Sequence, residues 1–459
     1  MNTQMKNTLC SLLQHLCTIL CGLILPREIL IHYGSDMNGL VLSITRFLSY
    51  TALLELGIGA VIPAALYSPL AVRDFEKVSA ILSSGYRVFR RIAGICLVYI
   101  CLLLGVFPQL SGAAVSAGMI LVLGAGTVLH YLVGIPESLL ILSDQRGYVL
   151  YLMGTVSVLV STALQMMLIR SGHSLLMVKF AAMLVNIGMI AGIVLYAHGH
   201  YPLRPVAGAA GEPIPQKWNG IAQHVAYFVL ENADIFLLTL FASFREVSVY
   251  SVYFMVISGI RRIFQSVTGS IQPKLGELIS AGEPDRLNRF FATFELVNHF
   301  FTAAVFGGLF FFLLPFVRVY TEGVTDADYI RPVFAALLTA AYAFQCFRDP
   351  YDKLILAGGH FKQTQNNYIV GTVLNLGISL AGVRVWGLEG VAAGTLVAMA
   401  YQTLYMSLYD TRKILKRPLR SLGRLIFMAA VLFLLMMVAG RCSGPEAESL
   451  VRMVLGCFK

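Results

Sequence analysis

The chain has 459 residues, of which 57% are hydrophobic and only 13% charged, with a mean hydropathy of +0.75. This balance excludes an ordinary soluble domain. The formal charge of +10 does not make a nucleic-acid binder either, because the basic residues fall in alternate loops between apolar runs instead of forming one basic face. The eight cysteines lie mostly inside apolar runs without paired metal-ligand spacing and read as small buried apolar side chains.

Runs long enough to cross about 30 Å of hydrocarbon cover residues 8–25, 38–67, 92–107, 114–142, 147–169 and 175–196. The first follows Lys6 as a signal peptide would, but it lacks a small-residue cleavage site and is needed as a span. A Gly- and Pro-rich linker follows, and a second series covers 220–243, 247–271, 290–317, 330–347, 364–385 and 388–408. One further run, 425–440, is clear, whereas 450–458 is short for a span. The expectation is an all-α polytopic membrane protein with two six-helix pseudo-repeat lobes (1–198 and 218–420) around a central cavity. A cytoplasmic linker (199–217) and one or two C-terminal helices (421–459) complete it.

With a cytoplasmic amino terminus, roughly 23 Lys and Arg fall in cytoplasmic segments against roughly 7 outside, as the positive-inside rule requires. An internal repeat supports the division. LYSPLAVRDFEKV (66–78) aligns without gaps on LGELISAGEPDRL (275–287), each after the second run of its half, with Asp74 over Glu283 and Lys77 over Arg286. Two like-oriented halves are the plan of secondary transporters, whose substrate sites lie near the midplane.

The stretch GIAQHVAYFVLENADIFLLTLFAS (220–243) places Glu231 and Asp234 near the middle of a span, three residues apart and so on one face, with His224 close to it. Each central acid costs about 2.5–3.5 kcal/mol to insert, so the stripe is expected to face protein or a wet cavity. Two carboxylates one turn apart in poorly solvated surroundings disfavour each other's charge, and at least one is expected to carry a proton. That makes the pair a candidate coupling site, Asp234 more strongly than Glu231; pairing with an arginine such as Arg261 is the alternative.

The second run holds Arg46 and Glu55, nine residues apart on opposite faces unless Gly57, Gly59 or Pro63 breaks the helix. Arg46 either lines a cavity or snorkels. Glu55 reads first as a structural partner and is a third coupling candidate. Arg261 and Arg262 could hold a phosphate bidentately or anchor the inner interface, and Lys179 is either a cavity cation or a snorkelling one. No zinc-protease, phosphate-loop or nucleophile-elbow signature is present, and the loops expected outside are short, the longest spanning about 318–329. An enzyme is disfavoured.

LILPREILIHYGSDMNGLVLSITRFLSYTALLELGIGAVIPAALYSPLAVRD (23–74) resembles the start of bacterial polysaccharide biosynthesis flippases. These are the O-antigen and capsule repeat-unit translocases of the multidrug/oligosaccharidyl-lipid/polysaccharide exporter superfamily. The stretches 231–260 and 357–406 resemble that family's seventh and eighth and its tenth to twelfth helices, and the likeness extends to about residue 420. The resemblance implies a two-lobed bundle in the cytoplasmic membrane that moves an undecaprenyl-diphosphate-linked glycan outward by alternating access. No cofactor is implied, but a proton or sodium gradient would drive the cycle. Arg46, Lys179, Arg261 and Arg262 would attend the diphosphate. Membrane lipid and polysaccharide polymerase machinery are the expected partners; nucleic acid is not. The rival readings are an ion-coupled multidrug exporter, a peptidoglycan-precursor flippase and, less favoured, a membrane polysaccharide polymerase.

Overall fold

The computed structural model describes residues 3–55, 58–111, 113–203 and 221–420, with isolated positions beyond them (423, 426, 427, 430, 431, 434, 449 and 451–453). Most of the 199–217 linker, nearly all of the 421–459 tail, Gly57 and the side chain of His224 lie outside the described residues. The described chain is helical throughout, with no strand among those residues.

In chain order the helices are α1 (Thr3–Ser49), α2 (Ile58–Ala71), α3 (Phe75–Ser111), α4 (Ala113–Val133), α5 (Ile135–Ser143), α6 (Gly147–Arg170) and α7 (Leu175–His200). They continue as α8 (Ile221–Phe241), α9 (Phe244–Ser280), α10 (Pro284–Tyr320), α11 (Pro332–Ala357), α12 (Phe361–Trp386) and α13 (Leu388–Tyr409). Among the described residues, nine stretches are long and apolar enough to cross a membrane. That is fewer than the twelve apolar runs for identifiable reasons. The first run and the start of the second form one stretch, α11 carries Arg348, Asp349, Asp352 and Lys353, and the first side chains of α8 are not described.

The corrections to the sequence reading lie at helix breaks. The first two runs meet at a single bent residue, Gly34 (φ 81°), a backbone angle that costs glycine nothing. The second run is broken, as its glycines and Pro63 allowed: Tyr50–Glu55 tightens into a 3-10 turn before α2 begins. There the Ser49 hydroxyl donates to the Arg46 carbonyl (2.6 Å) and that of Thr51 to Leu48 (2.7 Å), competing with the helical ladder. The fourth run is also broken, at Gly134, where Pro136 restarts the chain as α5. In the second series the corresponding helices, α9 and α11, run through Pro273 and Pro350 unbroken. Ser243 and Glu246 start α9 in the S-x-x-E pattern, the serine oxygen accepting from the Glu246 amide (3.3 Å).

The chain divides into two compact units, 1–218 and 219–459. Each packs internally in the same order. In the first, α1 lies on α6, α6 on α7, α7 on α4, α4 on α3, and α2 on α3 and α5. In the second, α8 lies on α12, α12 on α13, α13 on α11, α11 on α10, and α9 on α10 and α11. The aligned repeat falls on equivalent turns: α2 ends at Ala71 and α3 starts at Phe75, while α9 ends at Ser280 and α10 starts at Pro284.

Candidate functional site

The polar interior is concentrated in the second unit, where α8 supplies the two acids. They do not share one environment. Glu231 reaches α9 and α11: Arg261 Nη1 donates to its Oε2 at 2.5 Å and Gln345 Nε2 to its Oε1 at 2.9 Å. Arg261 Nη1 also donates to Gln345 Oε1 (3.1 Å), closing a triangle, and its guanidinium lies 5.6 Å from the Tyr342 ring centre. The arginine and glutamate side chains are only 13% and 12% exposed, so this is a buried ion pair, the arrangement weighed above as the alternative to an open acidic stripe. The Arg261 Nε is buried without a partner among the described residues.

Asp234 points to a different set of helices. Its Oδ2 accepts from the Tyr250 hydroxyl of α9 (2.8 Å), and the Thr395 hydroxyl of α13 stands 2.8 and 2.9 Å from Oδ1 and Oδ2. Thr395 also lies 3.1 Å from the Val391 carbonyl and accepts from Asn375 Nδ2 of α12 (3.0 Å). The Ser379 hydroxyl donates to the same Val391 carbonyl at 3.1 Å, and the Asn375 Oδ1 is buried with no donor. Thr395 has one hydrogen for three nearby oxygens. That hydrogen is shared among them, and a proton on Asp234 or a cation among the oxygens would relieve the crowding.

This pocket exists because α12 and α13 touch backbone to backbone. A Cβ on Gly382 would stand 2.8 Å from the Gly390 Cα, and Gly394 abuts Ser379. Small residues let membrane helices approach this closely. Deeper along the same helices a second buried cluster follows. Arg348, 1% exposed, donates to Asp352 (3.2 Å) and to Gln402, and the Tyr368 hydroxyl donates to Asp352 (2.8 Å).

Of the other sequence candidates, Arg262 is in the second unit and Lys179, Arg46 and Glu55 are in the first. Arg262 is exposed on α9, turned from Arg261 by one helical step, so the two do not form a paired guanidinium clamp. Lys179 donates to Gln165 Oε1 (3.0 Å) between α7 and α6, and Arg46 is half-buried on α1. Glu55 accepts from the Tyr131 hydroxyl. In the same unit Glu137, 2% exposed, accepts from the Tyr86 hydroxyl. Tyr250, Asn375, Thr395 and Gln345 were missed by sequence reasoning. Each is an uncharged residue with no local pattern to single it out, and Thr395 lies 161 positions from the acid it serves.

Neither a family model nor a curated protein sequence matches the chain. Solved structures do. A lipid II flippase, MurJ, in an inward closed conformation superposes with a TM-score of 0.67 at 15% identity, covering 98% of this chain and 99% of that one. An inward-facing multidrug resistance MATE family transporter of the MOP superfamily gives 0.63 at 13% identity over 87% and 94%. An outward-facing MATE transporter gives 0.56 at 13% identity over 90% and 96%. The chain shares the fold of these transporters. At these identities the likeness establishes an all-α, multi-pass membrane architecture.

Proposed function

We propose that the protein is a flippase that carries a lipid-linked saccharide diphosphate outward across the cytoplasmic membrane by alternating access, driven by a cation taken up at Asp234. The observation that carries the coupling is the oxygen-rich cluster of Asp234, Thr395, Asn375 and Val391, in which a buried carboxylate meets neutral side chains. A proton or sodium ion supplies the missing positive charge, and its arrival changes the balance between access states.

The substrate class is supported by the chemistry of Arg261. Its guanidinium is held in place by Glu231 and Gln345 but keeps an unpartnered Nε for a phosphate oxygen. A diphosphate cannot cross hydrocarbon unaided, and a fixed guanidinium replaces part of its lost hydration. The sequence resemblance favours a surface-polysaccharide repeat unit as the cargo. The likeness to a lipid II flippase makes a peptidoglycan precursor the second reading.

Proteoliposomes test both halves. Asp234→Asn is expected at normal protein level, with gradient-driven flipping of a fluorescent undecaprenyl-diphosphate saccharide lost and exchange without a gradient retained. Full gradient-driven transport by this variant sinks the coupling role. Competition between a repeat-unit lipid and lipid II for wild-type protein decides the cargo.

A further inference from the structure

We propose that the first unit carries a binding site for a phosphate monoester headgroup at the end of its helices where the amino terminus lies. The site is independent of Arg261 and Asp234, and it goes beyond the transport reading. A polar cleft of about 440 Å³ opens there between three segments distant in sequence: the start of α1, the α2–α3 turn, and the α5–α6 turn with the start of α6. Its walls include Lys6, Arg73, Asp144, Gln145, Arg146 and Tyr148.

Three cations face one acid, and that acid is already fully engaged. Asp144 Oδ1 accepts from Arg73 Nη1 (3.1 Å), and its Oδ2 accepts from the Tyr201 hydroxyl (2.9 Å) and lies 3.1 Å from Arg146 Nε. The Asp144 side chain is 8% exposed, so it acts as the post that positions the two guanidinium groups, while those of Arg73 and Arg146 remain 55% and 35% open. Lys6 stands at the rim with its Nζ 5.9 Å from the Tyr148 ring centre. Three positive charges against one negative leave a balance of two, the charge of a monoester phosphate. A phosphodiester carries one.

The backbone gives an independent reason to see a ligand site here. Arg73 and Gln145 have φ angles of 58° and 62°, in the left-handed region that side chains avoid. In the second unit the equivalent turns, after α9 and after α11, use Gly282 (φ 68°) and Gly359 (φ 70°). The first unit thus keeps a side chain at two positions where the turn favours glycine, and both side chains line the cleft. Strained backbone retained at a concave charged site is characteristic of ligand contact. Helix ends in a membrane-spanning bundle lie at headgroup depth, which makes a lipid phosphate the natural source.

The test uses purified full-length protein titrated with dioctanoyl phosphatidic acid, dioctanoyl phosphatidylcholine and inorganic phosphate, with binding followed by native mass spectrometry and thermophoresis. Phosphatidic acid is expected to bind at least tenfold more tightly than phosphatidylcholine, with affinity falling as salt rises. Arg73→Gly relieves the φ strain and should lower phosphatidic acid affinity at least tenfold without lowering the melting temperature. Lys6→Gln, which leaves the Asp144 bridges intact, should lower it several-fold. Inorganic phosphate binding as tightly as the lipid supports the site and assigns it to a soluble phosphate. Equal binding of the two lipids, or unchanged phosphatidic acid affinity in both variants, overturns the proposal.

Discussion

The two units repeat one packing order yet treat buried acids in different ways. In the first, Glu55 and Glu137 are each held by a tyrosine hydroxyl, from Tyr131 and Tyr86, and arginines meet the buried acid Asp144 at the α5–α6 turn. In the second, Glu231 meets Arg261, Asp352 meets Arg348, and Glu295 meets Arg417 at 3.0 Å. A phenol satisfies a lone pair but brings no charge, whereas a guanidinium also neutralises the carboxylate. Asp234 is buried too but is met by neutral side chains, those of Tyr250, Thr395 and Asn375. Duplicated architecture therefore fixes where helices lie, while the polar partners chosen inside each copy decide which acid stays open to a proton or cation.

The sharpest way to break this comparison is to remove one member of a pair in each unit. Arg261→Met leaves Glu231 buried without its counter-ion and should cost about 3–5 kcal/mol; adding Glu231→Met should restore most of it. Glu55→Gln keeps an acceptor for Tyr131 and should change stability by no more than about 1 kcal/mol. Melting temperatures in detergent read both. Equal losses in the two units would mean that the arginine does nothing the tyrosine does not.

A smaller effect is expected where the copies differ in closeness. The α12–α13 contact leaves no room for a side chain at Gly390, so Gly390→Ala should cost about 1–3 kcal/mol and open the pocket around Thr395. On α7 of the first unit Gly188 has nothing within 4 Å of an added Cβ. There Gly188→Ala should be neutral or add up to about 1 kcal/mol of helix propensity.

The helices were largely legible in the sequence because an apolar run of membrane-crossing length is a local property, and the 388–408 run agrees with α13 to within one residue. The amphipathic extensions were not: α3 begins at Phe75 although its apolar run starts at 92, since Arg87, Arg90 and Arg91 hide a helix that continues beyond the hydrocarbon. The break at Gly134 was written in the order Gly134, Ile135, Pro136, but the run stays apolar across it and periodicity does not register the interruption. Glu231 and Asp234 stood out because a charge inside an apolar run is rare. Which partner each one meets depends on helices folded against α8 from more than a hundred residues away, and no local pattern encodes that.

The finest test of the comparison is at the turns. Gly359 holds φ 70° where the first unit has Gln145 at φ 62°. If both turns require the left-handed region, Gly359→Ala should destabilise the second unit by about 1–2 kcal/mol, the cost of placing a Cβ there. Gln145→Gly removes that same cost in the folded state but gives the unfolded chain more freedom, worth about 0.4–1 kcal/mol in the opposite direction. The two effects nearly cancel, so the melting temperature should move little. The Gln145 backbone contacts are untouched by the change, since its carbonyl accepts from Asn7 Nδ2 (2.9 Å) and its amide donates to the Leu142 carbonyl (3.1 Å). A clear loss of stability in Gln145→Gly would mean that the glutamine side chain itself holds the turn, and the equivalence between the two turns would fail.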